Sequence, residues 1–127
     1  MAKKILVIED NDKNRRLIRD VLRYHCYEII EAENGEEGLK RAKELLPDLI
    51  LLDIQMPVMD CLDTIKALKV SPETKHIKVI ALTSFAMVGD RERMLKAGFD
   101  DYIQKPIDTR QLPKDIVKYI GSGKGQE

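Results

Sequence analysis

Three short runs of consecutive apolar residues are the clearest hydrophobic feature of the chain. They cover residues 5–8, 49–52 and 79–82, and none of them alternates with polar positions. Parallel strands that are covered by helices on both faces are typically apolar in this continuous way, so the pattern predicts three buried parallel strands. Two weaker strands are predicted over residues 27–31 and 101–104, where polar residues favour the solvent-facing edges of a sheet.

Apolar residues at three- and four-residue intervals lie between and after these runs, as expected of helices that bury one face. Asn34 is expected to cap the second helix, and Gly98 to end the fourth helix in a left-handed conformation. Because proline cannot lie deep within a helix, the fifth helix is predicted to begin near Pro113, after an irregular segment over residues 108–112. The residues with helical spacing are Leu17, Ile18, Val21 and Leu22, then Leu39, Ala42 and Leu46, and finally Ile116, Val117 and Ile120.

The predicted elements alternate between strand and helix five times over. This order indicates an α/β fold with a parallel sheet and right-handed crossovers. Five such units fit a flavodoxin-like (βα)5 doubly wound sheet with the strand order 2-1-3-4-5, which puts both weak strands at the edges. We expect a single domain over residues 1–120 and a flexible tail over residues 121–127, which contain no apolar side chain.

Composition and charge exclude several classes of protein. The 127-residue chain is 43% hydrophobic and 35% charged, so it can bury a core and is not disordered. Lys and Arg together number 22, as do Asp and Glu, so the basic excess of a nucleic-acid binder is missing. No apolar run approaches the ~18 residues of a membrane span, and no signal peptide opens the chain. We therefore expect a cytoplasmic domain that binds neither nucleic acid nor membrane.

Carboxylates follow two of the predicted buried strands. Glu9 and Asp10 end the first strand and Asp53 ends the third, and the sheet order reverses between these two strands. Three carboxylates in one crevice repel one another, so they need a counter-charge. A divalent cation with oxygen ligands would supply it, and Mg²⁺ fits best. The alternative is that Glu9 and Asp10 are loop acids that cap the first helix.

Two further polar residues end the fourth and fifth predicted strands. Thr83 would bring a hydroxyl to the same crevice, and Lys105 a fixed cation. Alone, a lysine in a loop is usually solvated and a threonine at a strand end usually caps a backbone group. Together with a carboxylate nucleophile and a metal site they suit phosphoryl transfer, in which negative charge spreads over three oxygens that need cations or donors.

At these strand ends the sequence resembles the receiver domains of two-component response regulators. The resemblance covers residues 3 to about 120 and depends on the motifs VIEDN, LLDIQMP, ALTS and YIQKP, which begin at residues 7, 51, 81 and 102. It implies a phosphorylation switch and not an enzyme, either a stand-alone receiver or part of a larger regulator or hybrid kinase. The domain would assist its own phosphorylation and its slow autodephosphorylation. Asp53 would accept a phosphoryl group from a histidine kinase or a histidine phosphotransfer protein.

The resemblance also implies a signalling output and a role for each residue of the site. Phosphorylation would change contacts with a downstream protein target through the face formed by helix 4, strand 5 and helix 5, in a monomer or weak dimer. The implied roles are phosphoacceptor for Asp53, Mg²⁺ ligands for Glu9, Asp10, Asp53 and the backbone carbonyl of Gln55, phosphoryl-binding cation for Lys105, switch hydroxyl for Thr83 and switch aromatic for Tyr102.

Two cysteines depart from the family pattern. Cys61 stands where members usually have Gly, and Cys26 where they often have it. A Cys with a positive φ at either position would be strained by about 1 kcal/mol. The two positions are expected at opposite ends of the sheet, so no disulfide between them is predicted. The peptide bond before Pro106 is expected to be cis.

Two other functions share parts of this pattern. A haloacid-dehalogenase-like phosphatase also uses a strand-end Asp, but such enzymes resemble one another in having a second Asp two residues on, where this chain has Gln55. A flavodoxin-like FMN-binding module needs a Ser-, Thr- or Gly-rich loop after the first strand. Three of the four residues 9–12 are acidic instead, and they would repel phosphate.

Overall fold

Strands and helices alternate along the protein in the computed structural model, which describes residues 3–54, 61–83 and 90–121. The three apolar runs lie in strands that extend them by one or two residues. The strand predicted over residues 27–31 is observed at residues 28–32, and the one over residues 101–104 has the predicted bounds. The elements are β1 (Lys4–Ile8), α1 (Asp12–Tyr24), β2 (Glu28–Ala32), α2 (Gly35–Leu45), β3 (Leu49–Asp53), α3 (Cys61–Val70), β4 (Lys78–Thr83), α4 (Asp90–Ala97), β5 (Asp101–Gln104) and α5 (Gln111–Ile120).

The five strands form one parallel sheet in the order β2-β1-β3-β4-β5. This order confirms the flavodoxin-like prediction, including the placement of the two weak strands at the edges. The predicted tail over residues 121–127 lies outside the described residues except for Gly121, so its flexibility stays a prediction. Within the described ranges, no helix has both the length and the apolar character needed to cross a membrane.

The core has two halves, one on each face of the sheet. Ile5 and Val7 of β1 pack on one face with residues of α1 and α5. Leu6 and Ile8 pack on the other face with residues of α2, α3 and α4. Because successive strand residues point to opposite faces and both faces are covered, residues 5–8, 49–52 and 79–82 of the central strands are all apolar. This explains why the runs in the sequence do not alternate.

Two of the predicted helix boundaries are confirmed. Asn34 caps α2, and its side-chain oxygen accepts a hydrogen bond from the backbone N–H of Glu37 at 2.8 Å. Gly98 follows the last residue of α4 with a φ of 115°, a left-handed conformation that costs glycine little. The peptide bond between Lys105 and Pro106 is cis, as expected.

Other local expectations needed correction. Helix α5 begins at Gln111, two residues before Pro113, because the N–H groups of a first helical turn have no acceptor within the helix and proline is tolerated there. Leu46 is not on the buried face of α2: it follows the helix with a φ of 48° and is half exposed. Cys26 has a positive φ of 70°, the strained conformation that the sequence predicted for a Cys at this position, whereas Cys61 is the first residue of α3.

The last turn of α5 is tied to the amino edge of the sheet. Three side chains from the starts of three strands donate hydrogen bonds to its final carbonyl groups, which would otherwise have no partner within the helix. The donors are Lys3 to the carbonyl of Ile120, Lys78 to that of Tyr119 at 3.1 Å, and the Tyr27 hydroxyl to that of Gly121 at 2.6 Å.

Candidate functional site

Strands β1 and β3 end side by side at the carboxyl edge of the sheet. Ile8 and Leu52 are partners in the register, so Glu9 and Asp53 leave the two strands at the same level. Asp10 follows directly. One carboxylate oxygen of each of the three acids lies within 4.8 Å of the others. The structure thus brings together the three carboxylates that the strand ends predicted.

The three acids differ in exposure. Glu9 is completely buried and Asp53 is 2% exposed, whereas Asp10 is exposed to solvent. A buried carboxylate is costly unless a cation or hydrogen-bond donors offset the lost hydration. Glu9 and Asp53 therefore need a positive partner within the protein, and Asp10 forms the open side of the cluster.

Lys105 is that partner. Its ammonium nitrogen lies 3.1 Å from Oε2 of Glu9 and 3.1 Å from Oδ1 of Asp53, and its side chain is 12% exposed. The lysine follows β5, and its backbone N–H donates to the carbonyl of Thr83 at 2.6 Å. This hydrogen bond joins the ends of β4 and β5 and directs the lysine side chain toward the acids at the ends of β1 and β3.

Burial and mutual repulsion perturb the protonation of this group. Burial, followed by the hydrogen bond and charge of Asp53, raises the pKa of Glu9 to about 7, although Lys105 opposes the shift. Burial alone lowers the pKa of Lys105, but the hydrogen bonds and charges of Glu9 and Asp53 outweigh it and raise that pKa above its usual value. The single positive charge of Lys105 is thus insufficient to neutralise both buried acids, and an added cation would stabilise their charged forms.

Glu9→Gln is expected to stabilise the metal-free protein at pH 8, by roughly 5 °C in Tm, and to have little effect at pH 5. The folded protein holds the Glu9 proton up to about pH 7, and the unfolded chain releases it near the ordinary value of 4.5. Wild-type stability therefore falls as the pH rises between these values. The uncharged Gln side chain of the variant has no proton to release, so the variant does not lose this stability. Thermal unfolding at both pH values in chelator measures the effect.

The matched control is Asp10→Asn, which removes the same charge from the exposed acid of the cluster. It is expected to leave Tm almost unchanged at either pH, since an exposed carboxylate has kept its hydration. A lower Tm for Glu9→Gln at pH 8, or an equal shift at both pH values, would contradict the role of burial.

The backbone after β1 leads directly into α1. The N-cap of α1 is Asn11, whose side-chain oxygen accepts a hydrogen bond from the N–H of Asn14 at 3.0 Å. The alternative role of Glu9 and Asp10 as helix caps is therefore wrong. The N–H of Asn11 in turn donates to Oε1 of Glu9 at 3.3 Å.

The two predicted switch residues lie on the neighbouring strands β4 and β5. Thr83 is the last residue of β4 and is completely buried. Tyr102 of β5 is half-buried, pairs with Ala81 in the register, and packs against the core half that holds α4. Gln55, the predicted carbonyl ligand, lies outside the described residues.

One contact of the site has no counterpart in the sequence predictions. Nη1 of Arg15, on the first turn of α1, donates to the backbone carbonyl of Glu9 at 2.8 Å. The sequence holds several arginines on this helix, and hydrophobic spacing gives no signal that separates Arg15 from Arg16 or Arg19.

The donor set fits a hard divalent cation. All three candidate ligand groups are carboxylates, with one oxygen each inside a 4.8 Å cluster, and Mg²⁺ prefers oxygen ligands and keeps several waters. The exposed position of Asp10 leaves room for such waters. The same cluster places the carboxylates of Asp53 and Glu9 beside a fixed ammonium group, which is suited to binding the oxygens of a phosphoryl group.

Comparisons with known proteins agree on one family. A family model for the response regulator receiver domain matches residues 5–117. The polar-differentiation response regulator DivK of Brucella anthropi is 45% identical over 121 residues, which cover 95% of this chain and 98% of DivK.

Two solved structures are similar in fold. One is the receiver domain of sensor histidine kinase PA1611 from Pseudomonas aeruginosa PAO1, which was solved with a magnesium ion coordinated in its active site cleft. It is 32% identical to this chain with a TM-score of 0.86, and the match covers 96% of this chain and 100% of that one. The Saccharomyces cerevisiae receiver domain of Ssk1, solved in complex with the histidine phosphotransfer protein Ypd1, is 26% identical with a TM-score of 0.86, covering 94% and 89% of the two chains.

Proposed function

Since this chain belongs to the family of response regulator receiver domains, which have a phosphoacceptor role in two-component signalling, we propose that Asp53 is the residue that accepts the phosphoryl group. The observation that carries this proposal is the position of Asp53. It ends β3 inside the carboxylate cluster, and its Oδ1 lies 3.1 Å from the ammonium nitrogen of Lys105. Glu9 lies equally close to Lys105, so the choice of Asp53 among the three acids also depends on its place at the end of β3, where the receiver-domain motif LLDIQMP has the phosphoacceptor.

In the proposed reaction, a carboxylate oxygen of Asp53 attacks the phosphorus of a phosphohistidine on a histidine kinase or a histidine phosphotransfer protein. The new P–O bond forms as the P–N bond breaks, and the imidazole leaves with the electron pair and takes up a proton. Lys105 stays charged and holds the phosphoryl oxygens as negative charge develops on them. The complex of the Ssk1 receiver with Ypd1 supports this class of partner.

Glu9, Asp10 and Asp53 would hold Mg²⁺, together with the backbone carbonyl of Gln55. When bound, the ion would neutralise charge on the phosphoryl oxygens and on the acids themselves. The oxygen-only cluster and the magnesium in the similar PA1611 receiver support this assignment. Since the chain belongs to a signalling family, we propose that it acts as a switch and not as an enzyme, with slow autodephosphorylation.

Phosphorylation is proposed to act on a two-state equilibrium through Thr83 and Tyr102. A ligand shifts such an equilibrium only through a group whose contact differs between the states, and a buried hydroxyl at the end of β4 can hydrogen-bond a phosphoryl oxygen in one of them. Tyr102, on the adjacent strand, would follow, and the face of α4, β5 and α5 would change its affinity for a downstream protein in the cytoplasm. The predicted oligomeric state, a monomer or a weak dimer, stays a prediction.

The phosphatase and FMN-binding alternatives belong to other families than the one the chain matches. The departure at Gln55 from the phosphatase pattern and the acidic residues 9–12 agree with that conclusion.

Thr83→Ala is expected to accept phosphoryl on Asp53 but to lose its effect on Tyr102. One charge-assisted hydrogen bond is worth about 1.5–3 kcal/mol, which shifts a two-state population roughly ten- to hundredfold. Amide chemical shifts around Tyr102, recorded with and without the phosphoryl mimic beryllofluoride, measure this coupling.

Thr74→Ala is the matched control. Thr74 is also completely buried, and its hydroxyl donates to the carbonyl of Leu68 at 2.7 Å, away from the strand ends of the site. This variant is expected to lose stability yet keep the shift changes at Tyr102. If Thr83→Ala shows the same beryllofluoride response as the wild type, Thr83 is structural and the proposed trigger is wrong.

A further inference from the structure

We propose that Arg15 is a positioning residue for the metal site, because its guanidinium fixes the peptide group that joins Glu9 to Asp10. We call residues 9–11 the ligand loop. The inference rests on the proposed function, since the loop carries metal ligands only if Glu9 and Asp10 bind Mg²⁺.

Arg15 acts on the backbone of the ligand loop. Its Nη1 donates to the carbonyl of Glu9 at 2.8 Å, and this carbonyl belongs to the peptide group shared with Asp10. On one side of it, the N–H of Glu9 donates to the carbonyl of Ala32 at 3.0 Å. On the other, the N–H of Asn11 donates to Oε1 of Glu9 at 3.3 Å. The arginine thus holds the central peptide of the loop, between two hydrogen bonds made by the loop itself.

The guanidinium is itself held from several sides. Its Nε donates to Oε1 of Glu31, on β2, at 3.1 Å, and its Nη2 forms an ion pair with Asp12, three residues earlier on α1. Glu33 lies 3.8 Å from the same Nη2. The side chain is only 11% exposed. A planar fork with five donors can satisfy these acids and the Glu9 carbonyl at once, and a lysine ammonium cannot.

Such an anchored donor affects metal affinity through geometry. Residues that orient metal ligands through hydrogen bonds typically contribute about 10–100-fold to affinity, because the ligands then need not be ordered when the ion binds. A positive charge near a cation site has the opposite effect, since it repels the ion. Removal of Arg15 therefore distinguishes the two influences by sign: lost positioning weakens Mg²⁺ binding, and lost repulsion strengthens it.

The test is the Mg²⁺ dissociation constant of Arg15→Met, measured by calorimetry on the metal-free protein. The methionine keeps an unbranched apolar stem and removes every donor. We expect binding roughly tenfold weaker than that of the wild type. In the metal-free protein, the amide nitrogen of Asp10 should also change its chemical shift, since it belongs to the peptide group that the arginine holds.

Arg19→Met is the matched control. Arg19 lies one turn further along α1 and also pairs with Glu31, at 3.3 Å, but in the described part of the chain it donates to no group of the ligand loop. This variant should lose similar ion pairs and a similar charge, while its Mg²⁺ affinity and the Asp10 amide shift stay close to wild type.

Arg15→Lys keeps the charge, so any loss of affinity in it comes from lost geometry; we expect about threefold weaker binding or more. It also decides the question if Arg15→Met does not fold. Two results would overturn the role of Arg15 but not the proposed metal site. One is Mg²⁺ binding by a folded Arg15 variant that is as tight as in the wild type or tighter, and the other is equally weakened binding in Arg19→Met. A wild-type protein that binds no Mg²⁺ would overturn both this role and the proposed metal site.

Discussion

Asp53→Asn is expected to abolish phosphoryl uptake completely. Asp53 is the buried acid at the end of β3 to which the proposal assigns the phosphoryl group, its Oδ1 lies 3.1 Å from the ammonium nitrogen of Lys105, and an amide in its place has no anionic oxygen to attack phosphorus. Incubation of the protein with acetyl phosphate and Mg²⁺, followed by intact-mass measurement, should show one added phosphoryl group in the wild type and none in the variant.

Asp63→Asn is the control for this prediction, since it removes an exposed Asp in the first turn of α3 that is not one of the three clustered carboxylates. It should be labelled like the wild type. Undiminished labelling of Asp53→Asn would place the phosphoacceptor on another residue and would contradict the proposed mechanism.

The second large effect is expected from Glu9→Gln/Asp10→Asn. Loss of both carboxylates should lower the rate of phosphorylation on the order of a hundredfold, because the charge that develops on the phosphoryl oxygens is no longer offset by a bound cation. The fold should survive, since removal of a buried, repelled acid relieves strain in the cluster. Initial labelling rates over a range of Mg²⁺ concentrations measure the effect.

A second pair of acids tests whether net charge alone explains the change. Asp63→Asn/Glu73→Gln removes two exposed acids elsewhere and should label at the wild-type rate with the same Mg²⁺ dependence. Should the Glu9/Asp10 variant label at the normal rate in the presence of chelator, the metal role of these acids is wrong.

Much of the fold follows from residue pattern. Continuous apolar runs indicated strands that are buried on both faces, and polar residues in the segments around Ile29 and Ile103 indicated the edge strands. These are strong signals because a charge on a doubly covered strand is costly. The site could be located for the same reason: in a parallel sheet with this order, the residues that follow β1 and β3 must meet.

Side-chain environment was harder to predict. Glu9 and Asp10 are adjacent acids in the sequence, yet one is completely buried and the other exposed, because consecutive residues at a strand end point in different directions. The contact of Arg15 with the Glu9 carbonyl depends on how α1 packs against β1 and β2, which spacing along one helix does not specify. Leu46 continued the helical spacing of α2, but the backbone turns left-handed there.

The hydrogen bonds that tie the end of α5 to Lys3, Tyr27 and Lys78 have a practical consequence for attaching the protein to other molecules. They place Gly121 beside the residue that precedes β1, so both ends of the described chain emerge at one edge of the sheet. A five-residue strand separates this edge from the carboxylate cluster by roughly 16 Å. A fluorophore, a surface tether or a fused domain joined at either end should therefore leave the crevice around Asp53 open to an approaching phosphoryl donor.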